Sequence, residues 1–121
     1  MIHLLKQLGY TPPKIVPGNY GKMEITYKHG AYYLYVDGLQ WMSYNDKTHE
    51  DAYSVYGHWM LAEGDVVVTG MGFGAREGWL LSKPSVKSLT IVEANRDVID
   101  YHYQMKSPFI EDRRVRIINK P

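Results

Sequence analysis

The stretch that most limits what this chain can fold into is Asp65-Val66-Val67-Val68-Thr69, which runs directly into Gly70-Met71-Gly72-Phe73-Gly74. Consecutive β-branched residues favour a strand over a helix. An unbroken apolar run of this kind is expected of a strand buried on both faces of a parallel sheet. The glycines behind it supply a turn whose backbone can take positive φ and come close to a ligand. Further on, residues 76–81 read as a helix, 88–93 as a second strand, 95–105 as a second helix and 114–118 as a third strand. Strand, helix, strand, helix, strand predicts a right-handed parallel βαβαβ unit.

The chain upstream has a different texture. Residues 1–17 form an N-terminal segment closed by Thr11-Pro12-Pro13-Lys14-Ile15-Val16-Pro17, where three prolines in six residues exclude helix and central strand. Lys22-Met23-Glu24-Ile25-Thr26-Tyr27 and Ala31-Tyr32-Tyr33-Leu34-Tyr35-Val36 lie between glycine-containing turns, which predicts a hairpin-linked, tyrosine-rich antiparallel unit over residues 18–44. Thr48, with Asp51 three residues on, signals a helix start. Ala52, Val55, Tyr56, Trp59 and Met60 then fall on one apolar stripe, and Gly64 stops it. The fold expected is α/β: an N-terminal antiparallel β-unit plus helix (18–64), then a Rossmann-like half with a parallel sheet (65–121), in one compact unit.

Charge excludes some function classes. With 14 Lys+Arg against 13 Asp+Glu the formal charge is +1, so no general field draws the chain to nucleic acid. The longest apolar stretch is broken by glycines and far short of the ~20 residues of a spanning helix, so no membrane partner is expected. No signal-peptide pattern opens the chain and cysteine is absent, which points to the cytoplasm. His3, His29, His49, His58 and His102 are scattered, without a zinc-ligand spacing, so no metal is expected.

The glycine turn gains meaning from Glu93, nineteen residues after Gly74 and at the end of the next predicted strand. A carboxylate there can accept hydrogen bonds from ribose hydroxyls while Gly70, Gly72 and Gly74 make room for the nucleoside. The plain alternative is an ordinary strand-to-helix turn with Glu93 as a solvated strand end. Two groups have a plain reading of their own. The tyrosines suit cross-strand packing, and Glu111-Asp112-Arg113-Arg114 reads as a solvated turn and strand edge.

At these residues the chain resembles the spermidine synthase branch of the S-adenosylmethionine-dependent methyltransferase-like superfamily. The resemblance is carried by Val66-Val67-Val68, the glycine loop, Arg76-Glu77, Val92-Glu93 and Asp112-Arg113-Arg114-Val115. Upstream it is carried by Asp37-Gly38-Leu39-Gln40 and a helix bearing Tyr53 and His58. Phe73 stands in the region of the family's loop aspartate, and Glu93-Ala94-Asn95 stands for its Glu-x-Asp. The resemblance implies S-adenosylmethionine or its decarboxylated form as ligand or co-substrate, with Gly70, Gly72, Gly74, Glu93 and Gln40 around it. If the chain is an enzyme, it implies a transferase of aminopropyl or methyl type. The family's catalytic aspartate follows a fourth strand that has no counterpart here, which leaves Tyr53, His58 and Asp46 as candidate bases. The alternative is a non-catalytic, truncated module that binds nucleoside or serves in oligomerisation. In the doubly wound strand order the first strand is central. Without a fourth strand it becomes an open edge, and a second copy of the chain is the expected cover.

Overall fold

A computed structural model describes residues 6–54 and 56–121, without the side chains of Tyr53, Tyr56, His58 and Trp59. The amino-terminal unit is a four-stranded antiparallel meander: β1 (Gly18–Tyr20), β2 (Met23–Lys28), β3 (Ala31–Val36) and β4 (Leu39–Asn45). Two short helices follow, α1 (Glu50–Ser54) and α2 (Tyr56–Leu61), on either side of Val55, which lies outside the described residues. The second unit is the expected βαβαβ array: β5 (Gly64–Thr69), α3 (Ala75–Leu80), β6 (Val86–Glu93), α4 (Arg96–Met105) and β7 (Val115–Asn119). Its sheet is parallel, in the order β5-β6-β7. The chain is therefore an α/β fold with an antiparallel unit ahead of a Rossmann-like half.

Both sheets feed one core. Met23, Ile25, Leu34, Val36 and Tyr44 from the meander are buried in the same cluster as Leu89, Ile91, Val98, Ile99 and Tyr101. Val66, Val68, Val115 and Ile117 pack on its margin. The tyrosines act as cross-strand and inter-element packing: Tyr27 lies against Tyr32, and the ring of Tyr20 meets Tyr101 edge-on at 4.6 Å.

Four local expectations are corrected. β5 is not buried on both faces: its exposure alternates, and Val67 is 67% exposed. Right-handed crossovers in the order β5-β6-β7 place α3 and α4 on one face; Val66 and Val68 pack with residues of both helices there, while no described residue buries Val67. Met60, placed on an apolar stripe, is 60% exposed. Asp51 closes no capping box with Thr48, because its carboxylate accepts from the Asn45 N–H instead. Arg114, read as solvated, donates to the carbonyls of Leu81, Lys83 and Val86 and pairs with Asp112 at 2.9 Å. It thereby ties β7's approach to the end of α3 and the start of β6.

Candidate functional site

At the carboxyl ends of β5 and β6 a cleft of about 430 Å³ opens between the two units. That volume lies within the ~300–1,000 Å³ typical of small-molecule sites. It is lined by the strand end and turn Thr69 to Gly72, by Ala75, Arg76 and Glu93 of the parallel half, and by Trp41, Met42, Asp51 and Ser54 of the first unit. In open α/β sheets this is the crevice where ligands bind.

Glu93 ends β6 and is 4% exposed. Its Oε1 accepts from the Met71 N–H at 2.8 Å and its Oε2 from the Asn95 N–H at 2.9 Å. The carboxylate therefore points at the bend and holds it. A carboxylate has about four lone-pair positions, so two backbone donors leave capacity for hydroxyl donors from a ligand. Asn95 in turn caps α4, its side-chain oxygen accepting from the Asp97 N–H at 2.9 Å. Asp97 accepts from the Lys22 N–H at 2.9 Å, which ties the cleft's acidic corner to the β1–β2 turn.

The three glycines divide their work. Gly70 and Gly72 line the cleft, while Gly74 does not. Gly74, at φ +86°, lies against Phe109, where an added Cβ would come 2.6 Å from a ring carbon. At Gly72 an added Cβ would meet the Met42 sulfur at 2.2 Å, so the thioether rests on the bare backbone of the turn. Phe73 is buried in the core, and Met71, which also lines the cleft, is buried in the same cluster.

Two side chains pin the turn from outside. Arg76 Nη2 donates to the carbonyls of Thr69 at 3.2 Å and Gly70 at 2.6 Å. The buried His102 of α4 bonds the Gly72 carbonyl through Nε2 at 2.7 Å and Ser107 Oγ through Nδ1 at 2.6 Å. A carbonyl only accepts, so Nε2 carries the proton, and in the neutral ring Nδ1 accepts from the serine. Burial pushes the His102 pKa down, consistent with that neutral form. Beside Arg76, Glu77 is fully buried with one oxygen unpartnered, and burial pushes its carboxyl pKa up against the pull of the neighbouring guanidinium.

The remaining sequence candidates fall elsewhere. Gln40 is exposed on β4, opposite Tyr35, and is not part of the cleft lining. Asp46 is also outside it, accepting from the Tyr27 hydroxyl at 3.3 Å. The side chains of Tyr53 and His58 lie outside the described residues. Asp51 and Trp41, which sequence reasoning did not single out as site residues, do line the cleft. Burial raises the Asp51 pKa, partly offset by the Asn45 N–H. Among the described residues no three His, Asp or Glu side chains converge as a metal site requires, and no helix is long and apolar enough to cross a membrane.

A scan against protein-family models finds no match, and a search of curated proteins also finds none. Solved structures do match. The spermidine synthase of Thermotoga maritima superposes with a TM-score of 0.57 at 19% identity, over 90% of this chain and 41% of its own. A spermidine synthase in complex with the transition-state analogue AdoDATO gives 0.57 at 20% identity, over 89% and 41%. The chain thus spans about two fifths of the length of these neighbours, and what it shares with them is the fold of that part.

Proposed function

We propose that the cleft binds an adenosyl ligand of the sulfonium class, S-adenosylmethionine or its decarboxylated form. The observation that carries this is the Glu93 carboxylate, set in the wall of a ligand-sized cleft directly above a side-chain-free bend. Glu93 would take the ribose hydroxyls, and Gly70 and Gly72 would let the nucleoside lie against backbone. The AdoDATO complex among the structural neighbours supports a ligand related to decarboxylated S-adenosylmethionine. The corresponding reaction is group transfer. An amine lone pair forms a bond to the carbon beside the sulfonium, the C–S pair leaves with a now neutral thioether, and the nitrogen releases a proton. Catalysis of this kind rests largely on alignment.

Calorimetric titration tests the reading. Wild-type protein should give heat with decarboxylated S-adenosylmethionine, and Glu93→Ala, checked for an intact fold by circular dichroism, should give none. A silent wild-type titration at millimolar ligand overturns the proposal.

A second reading has its own observation. Among the described residues no strand pairs with the outer edge of β5, which bears the exposed Val67, and an open apolar edge is a pairing surface. On this reading a second copy covers it, and the chain also acts as an oligomerising module.

A further inference from the structure

Trp41 and Met42 are consecutive on a strand, yet both line the cleft. Neighbours on a regular strand point to opposite faces, so something has reset the alternation. The register shows what: Leu34 pairs with Met42 while Tyr35 pairs with Gln40, which leaves Trp41 as an extra residue on β4. A bulge of this kind re-aims a side chain and is over-represented beside functional sites. Here it brings a large indole, 56% exposed, to the mouth of the cleft.

The charges around that indole are one-sided. Asp51 also lines the cleft, and among the described residues no cation pairs with it. Its contact with the Asn45 N–H is long, at 3.3 Å. Arg76, the cation among the described lining residues, is turned to the carbonyls of Thr69 and Gly70 and to Glu77. The first unit's part of the lining therefore offers a π face and a half-buried carboxylate, and among the described residues no cation is paired with either. Aromatic faces and carboxylates both attract a positive centre, and the attraction strengthens as water is excluded.

We propose that Trp41 and Asp51 form a cation-recognising end of the cleft, which takes the positively charged part of the ligand, a sulfonium or primary ammonium, while the nucleoside lies at Glu93. This rests on the nucleoside reading above and adds to it the pair of residues that read the ligand's charge. Asp51 is a specificity residue in this scheme and need not remove a proton.

The test separates the two claims by using one charged and one neutral adenosyl ligand. Wild type, Asp51→Asn, Trp41→Leu and Trp41→Phe are titrated with decarboxylated S-adenosylmethionine and with methylthioadenosine, with thermal midpoints recorded as a fold check. Asp51→Asn and Trp41→Leu should each weaken the charged ligand on the order of tenfold and leave the neutral one within about twofold. Trp41→Phe, which keeps a ring, should recover most of the affinity. Equal losses for both ligands, or no loss for either, overturn the cation-recognising end and leave nucleoside binding standing. Absence of binding of either ligand to wild type overturns both. Trp41 sits at an exposed bulge, so its variants remain informative even if Asp51→Asn fails to fold.

Discussion

His102 couples a helix to the cleft's glycine turn through a single ring, and its protonation state has a consequence for stability. The folded protein holds it neutral, with burial pushing its pKa below the ordinary value. An unfolded chain regains a histidine pKa of about 6.5. The unfolded state therefore binds the extra proton first, and the stability that His102 contributes is complete above about pH 6.5 and falls as the pH drops below it. Thermal midpoints from pH 7.5 to 5 should decline, and His102→Gln should flatten the decline. Gly74 is subject to a different constraint. A side chain there faces both φ +86° and the Phe109 ring, so Gly74→Ala should cost about 1–3 kcal/mol, read as a lower denaturant midpoint. Glu93, Gly70 and Gly72 could be placed at one end of the sheet from the sequence because strand ends and turns are local signals, whereas Gly74, read with them, packs on Phe109 instead. His102 could not, since the carbonyl it holds is thirty residues away.

At the level of elements, the parallel half follows its sequence closely: α4 begins after an asparagine cap and β6 ends at Glu93. Periodicity and caps are short-range signals, and here nothing overrides them. β4 was less legible because Leu39-Gln40-Trp41-Met42 carries a bulge, and the register shift depends on the partner strand rather than on β4's own residues. Arg114 shows the same limit. Its charge suggested solvent, but the carbonyls it serves belong to α3's end and the loop into β6. Arg114→Leu should leave those carbonyls short of donors and lower stability by about 1–3 kcal/mol. The loss should appear in a thermal melt, with slow-exchanging amides lost first at the start of β6.

On the scale of the whole molecule, the side of β5 that carries Val66 and Val68 is packed, the side that carries Val67 is exposed, and among the described residues no strand pairs with its outer edge. The β-branched run announced a strand but not its neighbours, which is why burial on both faces was expected and burial on one is found. If a second copy covers that edge, light scattering at tens of micromolar should report a dimer, and Val67→Lys, at an exposed side chain, should give a monomer with a wild-type circular-dichroism spectrum and a melt that no longer depends on protein concentration. A monomeric wild type removes the oligomer reading. The proline-rich segment is held down by hydrogen bonds to two tyrosines. The Tyr101 hydroxyl accepts from the Val16 N–H at 2.9 Å and donates to the Lys14 carbonyl at 3.1 Å, while Tyr20 donates to the Val16 carbonyl at 2.7 Å. Two phenols thus baste the leading residues onto the body of the protein. The peptide bond after Lys14 should resist trypsin in the native state, and Tyr101→Phe, which unpicks the stitch while keeping the ring, should hasten the cut.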